Sequence, residues 1–458
     1  DQAVLPQLIR LARETGIPMV ATNDAHYITK EDAKMQSILL CIQTGKTIND
    51  VDRMEFQTDE FYLKSTDEMY DLFSMVPEAC ENTNKIAEQC NFEFTFGETK
   101  LPYFKAPDGM ENQEYFEKLC WDGLERRYPG KVTDALKERL TYEINVVKTM
   151  GYTNYYLIVY DFINYAKSHD IPVGPGRGSG AGSLAAYCVG ITDIDPIRYN
   201  LIFERFLNPE RVSLPDIDVD FDPEGRLHVI DYCGEKYGRD KVAQCVIYGV
   251  IKTKQALKDS ARIMGYDFAM GDKVTKALPP SKNGKDASLK EIFDPTSKHY
   301  AEAREFRELY ESDPDAHKII DKAKTIEGLI RQTGVHACAT IMGSEPITDT
   351  SPLLQRVDNT VTTTFEYHTC ETLGLVKMDF LGLSNLTVIQ DTLKNIVANG
   401  KDPVDYTKIP LDDKETYQLL ARGDTLGVFQ LDSDGMRALL KSLKPDNFND
   451  ISALIALY

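Results

Sequence analysis

No apolar run in this sequence approaches the roughly 18 residues that a membrane-spanning helix needs. The nine cysteines are scattered, with no CxxC pair and no regular spacing, so neither a disulfide framework nor a zinc knuckle is encoded. The opening residues carry no signal-peptide pattern, and with the cysteine usage this predicts a reducing, cytoplasmic setting. No internal repeat is visible. Positive charge is scarce: 52 Lys and Arg stand against 72 Asp and Glu, a net charge of −20. Taken over the whole chain, that balance argues against a nucleic-acid partner, whose phosphates need lysine and arginine. The deficit is uneven, however. Residues 1–110 hold 10 basic and 19 acidic side chains, whereas 174–262 hold 12 and 13.

What is present is globular in composition, with 42% hydrophobic and 27% charged residues. At 458 residues the length predicts about three domains or subdomains. The chain opens on Asp1 and stops in ISALIALY, an apolar helical run with no cap, and is expected to be a piece of a longer protein. GIPMVATNDAHY (16–27) reads as a short buried strand and a polar turn. Helical periodicity follows from Lys30 to Asn91, and FEFTFGETKLPYFKAPDG (92–109) reads as a connector with strand fragments. Helices run on to Ala166, and a glycine-rich loop, IPVGPGRGSGAGS, opens onto a short helix at 184–189. From Lys252 to about Ile330 the pattern is helical, broken by LPPSKNGKD (278–286), a predicted mobile loop. Strand signals return at HACATIMG and LGLVKMDFLGL, and a further helix begins near Lys414. The fold class is therefore α+β, mixed.

The most unusual stretch is SLPDIDVDFD, Ser213 to Asp222. In a strand, Asp216, Asp218, Asp220 and Asp222 share one face, and Ile217, Val219 and Phe221 line the other. Aspartate is a poor strand former, and adjacent carboxylates raise one another's pKa, so the pattern asks for a positive partner. One answer is an edge strand whose charges are solvated and prevent aggregation. The other is a hard divalent cation such as magnesium, which prefers carboxylate oxygens aimed from a rigid element.

Other residues bear on the choice. GPGRGSGAGS lacks the Lys-Ser/Thr ending of a Walker A loop, yet its glycines free main-chain N–H groups for an anion, with Arg177, Ser179 and Ser183 adding donors. Gly176, Gly178 and Ala181 also fit GxGxxG/A with Asp195 19 residues beyond Gly176, a weak dinucleotide-binding signature, and a plain structural loop is a third reading. VKMDF sets Lys377 and Asp379 on one face of an apolar strand, either as a buried ion pair or as a third carboxylate for a cation. Lys254, Lys258 and Arg262 recur at spacing four on one helix face, opposite Leu257, Ala261 and Met264. They form either a phosphate-tracking stripe or an ordinary solvated one. Arg205 and Arg211 precede the acidic run. Asp24 and His26 form either a partial metal site or a satisfied turn.

In this order, GRGSGAGSLAAY, FERFLNPERVSLPDIDVDFD, GVHA and GLVKMDFLGL resemble the alpha-subunit family of bacterial DNA polymerase III. TNDAHY resembles the last metal-binding motif of that family's N-terminal PHP domain, and FQLDSDGMRALLKSLKPDNFNDISALIALY the start of its fingers, so the resemblance covers essentially the whole chain. It implies a palm of the DNA polymerase beta nucleotidyltransferase type over 105–247 and 331–400, with a helical thumb inserted at 248–330. The C-terminal part of a PHP domain and a connector would occupy 1–104, and the start of helical fingers 401–458. Asp216, Asp218 and Asp379 match the catalytic triad; Arg177, Gly178, Ser179, Arg205, Arg211 and Lys377 match the basic and Gly-Ser positions around the triphosphate.

The resemblance further implies two magnesium ions at the triad, primer-template DNA and deoxynucleoside triphosphates as substrates, and zinc or manganese in an intact PHP domain. A sliding clamp and other replisome subunits would bind through regions outside this chain, with no membrane partner. Most PHP ligands would lie before Asp1, so Asp24 and His26 would be a remnant, and with the fingers cut short the chain alone is expected to extend primers poorly. Competing readings are a metal-dependent phosphoesterase using the same acids and a noncatalytic dinucleotide-binding module.

Overall fold

The computed structural model describes residues 4–210, 215–281 and 286–458. Residues 282–285 of the expected loop at 278–286 and all of Arg211 to Leu214 lie outside the described residues. The chain divides into two compact units, 1–95 with 247–334 and 96–246 with 335–458.

The second unit is built on one mixed sheet. The strands of the sheet are β1 (Val219–Phe221), β2 (Val242–Val250), β3 (Ile330–Met342), β4 (Leu353–Gln355), β5 (Val361–Thr363) and β6 (Val376–Gly382), in the order β1-β6-β3-β2-β5-β4, of which 242–246 of β2 and 335–342 of β3 fall in this unit. β1 and β6 are parallel, with Val219 opposite Phe380, whereas β3 and β6 are antiparallel, with Ala339 opposite Asp379. One face of β1 and β6 is covered by helices. The helix Thr153–Ser168, TNYYLIVYDFINYAKS, is apolar nearly all round and buries nine residues, as a helix must when it lies inside a core. Its Phe162 meets Phe380 edge-on at 4.8 Å and Phe221 at 6.3 Å. These rings anchor the two strands, which leaves the alternate positions free to face the other way.

Helices Asn112–Arg127 and Leu184–Val189 complete this layer, and their crossing is unusually close. A Cβ at Gly123 would lie 2.0 Å from the Cys188 carbonyl oxygen, so the contact exists only because position 123 has no side chain. Gly123→Ala is expected to destabilise the protein by about 3 kcal/mol, the upper end of overpacking costs, measured by denaturant unfolding.

The first unit is largely helical. From 253 to 326 it contains the helices Thr253–Ile263, Phe268–Lys276, Leu289–Phe293, Lys298–Glu302, Arg304–Ser312 and Pro314–Ile326. Leu257, Ile263, Ile292, Phe306 and Ile319 form its core with Ile38 and Cys41 of the helix Ala33–Thr44. The strand expected within 16–27 is not formed. Ile17 and Val20 are exposed, and the segment makes a single bridge, Tyr27 to Tyr62, so no sheet partner sustains it. The strand fragments expected within 92–109 are likewise absent, with Phe92, Phe94 and Phe96 exposed. All nine cysteines are free, and among the described residues no helix is long and apolar enough to cross a membrane.

Candidate metal and phosphate centre

The alternation read in the acidic run is realised in burial: Ile217 and Val219 are 4% exposed and Phe221 is 0%, while Asp216 stands out to solvent. The laddered strand is shorter than the alternation predicted, because pairing with β6 begins only at Val219. Asp222 leaves the acidic row altogether. It caps the helix Pro223–Tyr237 by accepting from the Gly225 N–H.

On β6, Val376, Met378 and Phe380 face the core, and Lys377 and Asp379 share the opposite face. That face meets the acidic run. Ligand oxygens of Asp216, Asp218 and Asp379 lie within 4.8 Å of one another, and among the described residues this is the one group of three or more His, Cys, Asp or Glu side chains so arranged. Lys377 Nζ lies 2.5 Å from Asp379 Oδ2 and 3.3 Å from both Asp216 oxygens. Arg177 reaches the other side, Nη1 at 3.3 Å from Asp220 Oδ1 and Nε at 3.8 Å from Asp218 Oδ2. The ion pair and the carboxylate cluster, alternatives in the sequence, therefore coexist.

The electrostatics leave negative charge over. Four carboxylates face two cations. Burial, and then the neighbouring Asp216 and Asp379, push the Asp218 carboxyl above its ordinary range. Burial alone would lower the Lys377 ammonium, but its bond to Asp379 and the Asp216 charge outweigh this and raise it, so it stays protonated. Asp379 Oδ1 is buried with no hydrogen-bond partner, an uncommon state for a carboxylate oxygen. An orphaned oxygen, an all-carboxylate donor set and uncompensated charge are what a hard divalent cation satisfies, so the residues fit one.

The glycine loop is laced to the same strand. Gly174 N–H donates to the Asp220 carbonyl at 2.8 Å, Val173 bridges to Phe221, and a Cβ on Gly174 would meet Asp220 Cβ at 2.9 Å. Gly178, with φ +62°, and Ser179 are exposed at the start of a turn, Gly178–Gly182, whose last three residues are buried. Arg205 is exposed on the turn Phe203–Arg205, flanked by Ile202, whose carbonyl a Cβ on Gly182 would meet at 2.7 Å, and by Phe206, which lies 3.9 Å from the Cβ position of Gly180. Arg211 lies outside the described residues.

Two expectations for the loop are corrected. Ser183 is not a phosphate donor: it is fully buried, caps the helix Leu184–Val189 and donates to Glu143 Oε2 at 2.9 Å. Glu143 also accepts from the Ala185 N–H at 3.0 Å and pairs with Arg139 at 2.6 Å, so an internal carboxylate already occupies that helix start. The dinucleotide reading fails because only the single bridge at Val173 precedes the loop, and Asp195 is a turn cap. It accepts from the Tyr128 hydroxyl and from the Ile197 and Arg198 N–H groups.

Elsewhere the stripe of Lys254, Lys258 and Arg262 does face outward from buried Leu257 and Ala261, but its charges are engaged. Lys254 pairs with Asp286 at 2.9 Å, Lys258 with Asp272 at 3.3 Å, and Arg262 donates to the Lys46 carbonyl at 3.5 Å. His26 Nε2 and Asp24 Oδ1 are 3.1 Å apart, and no third His, Cys, Asp or Glu joins them among the described residues. The sequence reading missed Tyr155, Glu143 and the capping role of Asp222. Of these, Asp222 was visible as an N-cap residue directly before a proline.

The family described as Bacterial DNA polymerase III alpha NTPase domain matches residues 114–382, and Bacterial DNA polymerase III alpha subunit finger domain matches 385–458. DNA polymerase III subunit alpha of Mycobacterium tuberculosis is 50% identical over 464 residues, covering 100% of this chain and 39% of its own length. The proteins of the same name from Borreliella burgdorferi and Thermus aquaticus are 43% and 40% identical, covering 100% of this chain and 39% and 42% of their own. The chain thus spans about two-fifths of the length of these relatives, and it belongs to the bacterial DNA polymerase III alpha-subunit family.

Proposed function

We propose that this chain carries the nucleotidyl-transfer centre of a template-directed DNA polymerase, which adds deoxynucleotides to a primer 3′-hydroxyl and releases pyrophosphate. The observation that supports it most is the convergence of Asp216, Asp218 and Asp379 beside a glycine loop tied to the same strand. Asp216, Asp218 and Asp379 would hold divalent cations, in our reading two magnesium ions. When bound, these would lower the pKa of the primer hydroxyl and neutralise charge on the transferring phosphates. Lys377 pairs with Asp216 and Asp379 and offsets part of their negative charge. Exposed Gly178 and Ser179 offer main-chain and hydroxyl donors to the triphosphate, and Arg177, Arg205 and Arg211 offer positive charge. Base choice is left to template pairing, so no side chain needs that role.

We place the palm at 105–247 and 331–400, the thumb at 248–330, part of a PHP domain with Asp24 and His26 at 1–104, and the start of the fingers at 401–458. Primer-template DNA and deoxynucleoside triphosphates are the proposed substrates. The test is primer extension by the intact polypeptide. Asp216→Asn is expected to lower incorporation by on the order of 10³-fold and to leave melting unchanged, because the Asp216 side chain is more than half exposed. Template-free phosphate release from a simple ester, lost in that variant while primer extension persists, would replace this reading with a phosphoesterase.

A further inference from the structure

The N–H of Ile217 lies between Asp216 and Asp218, on main chain that has not yet joined the sheet, since the ladder with β6 starts two residues later. Ile217 is buried, so this N–H needs an acceptor from the protein itself. The acceptor is the phenolic oxygen of Tyr155, 2.9 Å away on the helix Thr153–Ser168. Tyr155 is 1% exposed and sits among the packed residues of that helix, so its oxygen is held as firmly as the core itself. A single side-chain oxygen thus stands where a neighbouring strand would otherwise fix the chain.

We propose that Tyr155 is a positioning residue for the metal centre: its hydroxyl oxygen sets the main chain between the two aspartates so that both carboxylates face one cation. The inference rests on reading the triad as a metal site. Ligands of such a site must be held to within about 0.5 Å, and among the described residues the Asp216 side chain is otherwise held only by Lys377 Nζ, at 3.3 Å. The neighbouring Tyr156 is equally buried, but its hydroxyl meets Ser183 Oγ at 3.1 Å and, among the described residues, makes no hydrogen bond to the acidic run.

The experiment is Mn2+ binding by calorimetry, well below each protein's melting temperature, with wild type, Tyr155→Phe, Tyr156→Phe and Asp216→Asn. Asp216→Asn is expected to remove the site. Tyr155→Phe is expected to weaken Mn2+ on the order of tenfold, the low end of what loss of an outer support costs a metal ligand. Tyr156→Phe is expected to bind as wild type does. Replacing the Ile217 N–H by an ester oxygen removes the same bond from its other end and is expected to reproduce the loss. If Asp216→Asn binds as wild type does, the triad reading itself fails. If Asp216→Asn loses the ion while Tyr155→Phe and the ester retain full affinity, Tyr155 only packs the core and the inference is overturned with the triad reading intact.

Discussion

Lys377→Met is expected to cost about 3–5 kcal/mol of stability at neutral pH, because it removes the cation from a buried pair and leaves the carboxylate behind. Lys377 and Asp379 are only 12% and 10% exposed at their side chains, so solvent screens the loss little. The sign of the pH dependence follows from Lys377. Its folded pKa is raised above the ordinary 10.5, so its contribution is complete below 10.5 and declines above it, as the unfolded chain releases its proton first. The gap between wild type and variant in chemical denaturation is therefore expected to be flat through neutral pH and to narrow in the alkaline range. A bound divalent cation supplies the missing positive charge, so millimolar Mg2+ or Mn2+ is expected to restore part of the loss. A variant as stable as wild type without metal would show that the contact between Lys377 and Asp379 contributes nothing to stability.

This behaviour was only partly legible in the sequence, and the reason is distance. The alternation from Asp216 to Phe221 is a local signal of period two, and burial of Ile217, Val219 and Phe221 follows it. That Asp379, 161 residues beyond Asp218, joins the same cluster depends on the parallel pairing of β1 with β6, which no local pattern encodes. Helix faces were likewise legible: Leu257 and Ala261 are buried beneath the lysine stripe. The acids that neutralise that stripe, Asp272 and Asp286, come from later in the chain and were not. Ser183 shows a nearer failure, since a serine directly before a helix is more often its cap than a free donor. Tyr155 left no trace, because in an unbroken apolar helix its hydroxyl is indistinguishable from packing. The segment at 16–27 shows the converse: apolar composition predicted a buried strand where no sheet edge receives one.

The largest effect is expected from Asp379→Asn, and comparison with Asp216→Asn makes it informative. Both should lower nucleotide incorporation by on the order of 10³-fold, as loss of a group acting on transition-state charge does. Their structural consequences should differ. Asp216 is 57% exposed at its side chain, so its neutral amide is solvated and little else changes. Asp379 is buried against Lys377, and an amide there pairs poorly with the ammonium, which retains only the longer contacts to Asp216 at 3.3 Å. Asp379→Asn is therefore expected to lose stability as well as activity, and Asp216→Asn activity alone. Combining Asp379→Asn with Lys377→Met removes both members of the pair, so its stability cost should be smaller than the sum of the single costs, read by a double-mutant cycle. Additive costs would mean that the 2.5 Å contact between Lys377 and Asp379 contributes nothing to stability.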